Sequence, residues 1–385
     1  MSLIGQSVTI LGAGIAGLAV ARALAMRGAA VTVLEQADAI REVGAGIQIS
    51  PNGAVVLRAL GLGAALDGAG AAAEAVTLID GPTGDRVLRL DLRGRDYRYL
   101  HRADLIALLR DGATEAGVEL RLLQRIEEVD LSGPRPRLTT AQGDRMDADI
   151  LVAADGLHSV VRTALNGAAQ PVFTGQVAWR ALLAATPDEA AVAEVHMGPG
   201  RHLVTYPLRQ GTRRNIVAVE ERSRWAEEGW SIRADPMELR IAFQGFAPRV
   251  RGWLEEVEDV HLWGLFRHPV ARNWHGQRCV ILGDAAHPTL PFLAQGANMA
   301  LEDAWVLAHC LATHDEPQAA FGAYQQARAA RCARIVEASS RNARAYHLHS
   351  PWRDAAHAAL RLGGRFAPDA PLRRFDWLYR HDVTV

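Results

Sequence analysis

The chain has almost no net charge: 42 basic residues stand against 43 acidic ones, a formal balance of −1. A nucleic acid or an anionic membrane needs a one-sided field, so neither partner is expected. Arginines do gather between Arg328 and Arg344, where they read as the solvated face of an alanine-rich helix. Cysteine is sparse. Cys279, Cys310 and Cys332 form no Cys-x-x-Cys pair, and His158, His261, His268 and His275 lack clustered partners, so no metal is expected. Such cysteine usage points to a reducing compartment, and the expected location is cytoplasmic. Long hydrophobic runs are also missing. Ile4 to Met26 is apolar but lacks a basic start and is broken by glycines, so it reads neither as a leader nor as a span.

What the 385 residues do contain is two short motifs far apart: Gly12-Ala13-Gly14-Ile15-Ala16-Gly17, and Gly283-Asp284-Ala285-Ala286-His287-Pro288. Val8 to Leu11 is an apolar run suited to a buried parallel strand, and Ile15 to Arg27 follows at helical spacing. Gly12 makes the tight turn, Gly14 lets a pyrophosphate approach the backbone, and Gly17 lets the helix pack close to the strand. The helix N-terminus then offers N–H groups and partial positive charge to phosphate. Val31 to Leu34 returns as the next strand and ends at Glu35, eighteen residues after Gly17, where a ribose hydroxyl is the natural partner of the carboxylate. Strand, turn, helix, strand and terminal acid in that order indicate a dinucleotide site. The distant second motif suggests one FAD threaded between separate segments.

Other segments interleave. Ser50-Pro51-Asn52 opens a helix through Ala59, Val76–Asp80 and Arg86–Leu92 read as a hairpin around Gly81 to Gly84, and a helix is expected from Arg102 to Ala116. Asp149 to Ala154 and Cys279 to Leu282 read as buried strands. Between Val172 and His268 the pattern becomes that of an antiparallel sheet. Helices follow from about Ala297 to Leu311 and from Pro317 to about Tyr346. The fold class is α/β, with a Rossmann-like FAD-binding domain, a mostly antiparallel β-sheet substrate domain and a helical C-terminal region. The expected partition is 1–75, 98–170 and 270–345 for a discontinuous FAD-binding domain, 76–97 and 171–269 for the substrate domain, and 346–385 for a C-terminal extension.

Taken with ADGLHSVVR at Ala154 to Arg162 and LGDAAHPTLPFLAQGANMALEDA at Leu282 to Ala304, the first motif and Glu35 resemble the single-component FAD-dependent aromatic hydroxylases. The branch is that of salicylate hydroxylase, 3-hydroxybenzoate 6-hydroxylase and 6-hydroxynicotinate 3-monooxygenase, and the likeness spans nearly the whole chain. The resemblance implies tightly bound, non-covalent FAD with NADH or NADPH as a transient co-substrate, since only one glycine-rich βαβ motif is visible. It implies reduction of the flavin, reaction with O2 to a flavin hydroperoxide, and hydroxylation of a small phenolic or hydroxypyridine-type aromatic. A monomer or homodimer is expected. The resemblance places Asp284 on ribityl hydroxyls, Gly296, Ala297 and Asn298 at a helix start facing the flavin pyrimidine edge, and Arg102 along the cofactor. Asp155 and Arg162 match a middle motif associated with FAD and nicotinamide, Asp155 being partly structural. Gly44-Ala45-Gly46-Ile47-Gln48 matches a strand passing the flavin, with Gln48 facing the pocket. Glu302 and Asp303 are read as first-turn structural acids and His287 as a loop-shaping residue.

His202, Val204 and Tyr206 share one face of a strand by period-2 alternation, with the histidine and tyrosine roughly 13 Å apart along its axis. A ring fits between them. The His-x-x-x-Tyr spacing resembles that of the 3-hydroxybenzoate and 6-hydroxynicotinate enzymes, which implies catalytic roles for His202 and Tyr206, the histidine removing the phenolic proton. Leu290-Pro291-Phe292 departs from relatives that carry a glutamine or histidine there, which weakens the expectation of a carboxylate-bearing substrate. Two other flavin readings stand beside this one. A non-oxygenating FAD oxidoreductase acting on an unsaturated substrate is the first; a flavin halogenase is the second, and its Trp-containing signature and catalytic lysine are both missing.

Overall fold

Strands that are apolar on both faces pair in parallel beneath covering helices, and the first motif builds such a sheet. In the computed structural model, which describes residues 3–40, 45–187, 189–222, 232–367 and 369–385, Ser7–Leu11 lies between Ala30–Leu34 and Ile150–Ala153, all parallel. Cys279–Ile281 and Glu119–Arg121 complete the five strands at the two edges. Every residue of Ile150–Ala153 and Cys279–Ile281 is buried. Helix Ile15–Ala25 packs on this sheet and against helix Gly296–Thr313. The two motifs, remote in sequence, therefore meet at the carboxyl end of one sheet, on strands separated only by Ile150–Ala153, where α/β sheets bind ligands.

An eight-stranded sheet forms the second layer. Its order runs Arg233–Ala234, Val260–Arg267, Val172–Ala184, Arg213–Glu221, Arg201–Leu208, Val192–Gly198, Ala75–Asp80 and Arg86–Asp91. All its pairings are antiparallel except that of Val192–Gly198 with Ala75–Asp80. Alternation gives it two faces. Val177, Trp179, Leu203, Ile216 and Ala218 pack under the helices Pro236–Ala242 and Pro248–Glu255, whereas Ala178, Val219, Trp263 and Leu265 meet Leu290 and Phe292 of the second motif.

Among the elements with no expectation in the sequence are strand Val192–Gly198, a three-stranded sheet over Ile126–Asp130, Arg137–Thr140 and Arg145–Asp147, the strands Ala71–Ala72 and Arg98–His101 that join the expected strand Gly46–Ile49 in a small sheet, and helix Trp352–Phe366. Among the described residues, no helix is long and apolar enough to cross a membrane.

Two readings are corrected. Glu302 and Asp303 lie in the second turn of Gly296–Thr313, not the first, and both are fully buried. Arg328, at 1% exposure, is not on a solvated face. It pairs with both acids: its Nε donates to Asp303 Oδ1 at 2.8 Å, and its NH1 lies 2.5 Å from Glu302 Oε2. Arg331 adds two hydrogen bonds of 2.8 Å to Glu302 and two of 3.0 Å to the carbonyls of Trp377 and Leu378. An isolated charge could not remain here, but this network satisfies each carboxylate. It ties the helix Pro317–Tyr346 and the C-terminal tail to the helix that begins beside the second motif.

Candidate active site

The three glycines of the first motif have different surroundings. Gly12 sits at φ +92°, and a Cβ there would lie 2.6 Å from the Ala154 carbonyl oxygen. At Gly17 a Cβ would collide with the Gly12 carbonyl. Gly14 meets nothing within 4 Å. Two glycines thus serve packing, and the one between them faces open space at the N-terminus of Ile15–Ala25. Glu35 closes this loop, accepting hydrogen bonds from Ala13 N at 2.7 Å and Ala37 N at 2.9 Å. Each oxygen keeps a further lone pair for a hydroxyl donor.

Asp155 divides its carboxylate. Oδ2 accepts from Val160 N at 3.0 Å and so caps the following turn, while buried Oδ1 has no partner among the described residues. Burial pushes its pKa upward. Arg162 is buried and donates to the carbonyls of Ala285, at 3.2 Å, and Pro269. It fastens the middle motif to the second one rather than presenting a charge to the cleft.

Asp284 follows strand Cys279–Ile281 in a tight turn and is solvent-exposed, although its neighbours Gly283, Ala285, Ala286 and His287 are buried. Protein mass around the carboxylate raises its pKa, opposed by the nearby charges of His287 and Arg102. The turn is held from beneath. Gly283 N donates to Asp303 Oδ2 at 3.0 Å, and His287 Nε2 lies 2.5 Å from the same oxygen. Burial disfavours a charged His287, yet Asp303 holds it well above the usual histidine range, and burial of Asp303 itself is outweighed by His287 and Arg328, which bring it down to about 2. The donor atoms of His287, Asp303 and Cys332 lie within 4.8 Å of one another, as in a metal site. Arg328 hydrogen-bonds both Asp303 and Cys332 there and supplies the positive charge in place of a cation.

Arg102 starts the helix Arg102–Glu115 and pairs through its backbone N with Ala45 O at 2.8 Å. Gly44 lies outside the described residues. Gly46 departs from its expected role as a place for close flavin approach: the space where its Cβ would be holds the ring of Tyr206, 2.5 Å away at Cε2. Gln48 Oε1 accepts from Tyr97 Oη at 2.7 Å. Asn298 is spent entirely on protein. Its Oδ1 accepts from Ser50 N at 3.0 Å, and its Nδ2 donates to the carbonyls of Gln48 at 3.1 Å and Ala294 at 2.8 Å. What remains at Gly296, Ala297 and Asn298 is the backbone amide row of the helix start.

His202 and Tyr206 are both buried on the sheet face toward the second motif. His202 pairs in register with Val219 and stacks 5.6 Å from Phe292; Tyr206 pairs with Asn215, whose Oδ1 accepts from Gly46 N at 2.8 Å. Burial keeps Tyr206 protonated, so its hydroxyl can donate. Arg180, buried on the same face, lies over Trp263 at 5.8 Å. Sequence reasoning passed over this cation, although its even spacing from Ala178 was available as a signal. A groove of about 620 Å³ lined by Glu127, Arg137, Arg145 and His158 lies elsewhere, on the three-stranded sheet, and contains none of the motif glycines.

These residues fit a flavin dinucleotide on three counts: open space at Gly14, an unpartnered buried oxygen on Asp155, and the exposed Asp284 carboxylate at the end of an adjacent strand. A family model described as an FAD binding domain matches residues 6–339. The chain is 36% identical to the 3-hydroxybenzoate 6-hydroxylase of Klebsiella oxytoca, over 96% of this chain and 95% of that protein. It is 34% identical to a 3-amino-4-hydroxybenzoate 2-monooxygenase of Streptomyces platensis, over 98% and 96%. A solved salicylate hydroxylase in complex with substrate superposes with a TM-score of 0.82 at 23% identity, covering 98% of this chain and 96% of that one, a likeness of fold.

Proposed function

Because the chain belongs to the FAD-binding-domain family of aromatic-ring monooxygenases, we propose that it uses NAD(P)H and O2 to hydroxylate a small phenolic or hydroxypyridine-type aromatic held under the His202–Tyr206 sheet face. The observation that carries this reading is the meeting of the first and second motifs at the carboxyl end of one parallel sheet, where Gly283 packs on Ala16, with Phe292 of the segment that follows Asp284 packed against His202. FAD, when bound, supplies the redox and oxygen chemistry. Gly12, Gly14 and Gly17 shape the phosphate loop, Glu35 takes a ribose hydroxyl, and Asp155, Arg102, Asp284 and the amides of Gly296 to Asn298 hold the remainder. Gln48 orients Tyr97 beside them.

Leu290, Phe292, Val217, Val219 and Trp263 form an apolar wall that keeps water from the ring. His202 removes the phenolic proton and Tyr206 donates a hydrogen bond to the ring's substituent. Arg180 offers a counter-charge for a substrate carboxylate, which the names of both relatives carry. NADH or NADPH binds transiently, without a second glycine-rich loop. The partition into FAD, substrate and C-terminal regions, a monomer or homodimer, and a cytoplasmic location complete the reading.

The test is to load purified protein with FAD and supply NADH or NADPH with 3-hydroxybenzoate, 3-amino-4-hydroxybenzoate and simple hydroxypyridines under labelled O2. Label in the product is the expected result. Turnover that continues without O2 would establish a non-oxygenating oxidoreductase instead.

A further inference from the structure

His202 does not stand alone in its buried site. Its Nδ1 lies 2.7 Å from Nε2 of His347, which comes from the end of the helix Pro317–Tyr346, and Nδ1 of His347 lies 2.8 Å from Glu221 Oε1. His202 and His347 are almost completely buried, whereas the Glu221 side chain is 51% exposed. The three side chains therefore form an unbroken hydrogen-bonded path from the pocket face to bulk water.

The direction of each bond follows from its end. An ionised carboxylate only accepts, so His347 donates from Nδ1 to Glu221. Neutral His347 then has a lone pair at Nε2, which must accept from Nδ1–H of His202. That fixes His202 in the tautomer whose Nε2 carries a lone pair, and Nε2 makes no hydrogen bond among the described residues. Gln176 Nε2 lies 3.4 Å from His347 Nδ1, and a 180° turn of that amide puts its oxygen there as a second acceptor of the Nδ1 proton.

We propose that His202, His347 and Glu221 are a proton relay that carries the substrate's phenolic proton out of the closed pocket. The inference rests on the reading of His202 as the base. A proton arrives at His202 Nε2 as the phenol O–H bond breaks, the Nδ1 proton of His202 passes to His347 Nε2, and the Nδ1 proton of His347 passes through Glu221 to water. One proton enters and one leaves. The tautomers are afterwards reversed, and ring rotation or the return of a proton along the same path resets them.

The surroundings favour passage over storage. His202 is packed by the rings of Phe292 and Tyr346, neither of which carries charge, since burial pushes the Tyr346 phenol up to about 12. Burial and the adjacent His347 hold His202 well below the usual histidine range. Around His347, burial lowers the pKa, Glu221 raises it, and Arg201 and His349 lower it again, with a net downward shift. Neither imidazolium is a resting place, so the proton continues to the exposed carboxylate.

Stopped-flow mixing of oxidised FAD-loaded protein with 3-hydroxybenzoate, in weakly buffered solution containing a pH indicator, tests this without turnover. Wild type is expected to release a proton in step with the appearance of phenolate absorbance. His347→Phe should slow that release about tenfold or more, and added imidazole should restore it; Glu221→Gln, a surface change that leaves the fold intact, should slow it less. Release at the wild-type rate in both variants overturns the relay while leaving the base in place. Unaltered release in His202→Gln, or none in wild type, overturns the base and the relay together.

Discussion

Tyr206 seats its ring on the bare Cα of Gly46, so close that a Cβ there would lie 2.5 Å from Cε2 and 2.6 Å from Oη. The contact joins the pocket sheet to the strand Gly46–Ile49, and the backbone N of Gly46 strengthens it by donating to Asn215. Gly46→Ala should therefore push Tyr206 out of place at a cost of about 1–3 kcal/mol. Thermal unfolding should shift down and KM for the aromatic should rise, while flavin content stays normal. A variant with unchanged KM would show that Tyr206 does not touch substrate.

Gly14 and Gly17 should respond in opposite ways to alanine. Gly17→Ala drives a methyl into the Gly12 carbonyl and should destabilise the apoprotein. Gly14→Ala enters open space, so the apoprotein should unfold like wild type while FAD binding falls. Calorimetry with and without FAD separates the two, and equal melting of both apoproteins would defeat the assignment.

Asp284→Ala should release FAD during dialysis. Hydrogen bonds to a charged group contribute about 1.5–3 kcal/mol, so dissociation should become roughly 10- to 100-fold easier, as read by flavin fluorescence. A fully yellow variant after exhaustive dialysis would contradict the placement.

Asp303 links stability to pH. Its carboxyl is held at about 2, below its ordinary 3.8, so its contribution is complete above about pH 4 and is lost as pH falls toward 2. His287, raised well above 6.5, contributes fully below that value and loses its share as pH rises through its own raised pKa. Asp303→Asn should cost about 3–5 kcal/mol at neutral pH, because it strands buried charges. Urea unfolding should show the gap to wild type narrowing between pH 4 and pH 2. A gap of constant size would count against the pairing.

Much of the fold was legible because its signals are local. The hairpin of Ala75–Asp80 with Arg86–Asp91 was marked by its turn, and the helix Pro51–Ala59 by Ser50 and Pro51. Strand Val192–Gly198 was missed although Glu194 and His196 alternate with Ala193, Val195 and Met197 at the period of a strand; the two polar side chains satisfy one another within that strand at 3.0 Å. Arg328 was misread for a related reason: an arginine in an alanine-rich helix looks solvated until the two acids that neutralise it come from another helix.

The order of residues alone determined the glycine turn, its strand and helix, the strand that ends at Glu35 and the turn at Asp284, since steric demands on glycine and the spacing of apolar side chains act over a few residues. Tertiary structure decided which of the remaining polar groups are anchors and which are open: Asn298 is used up by Ser50 and Gln48, Gly46 yields its space to Tyr206, and His202 gains His347 from 145 residues away. Periodicity tells which face a side chain occupies. What stands opposite, and so whether a charge or tautomer is tolerated there, depends on chain segments that meet only when the layers close.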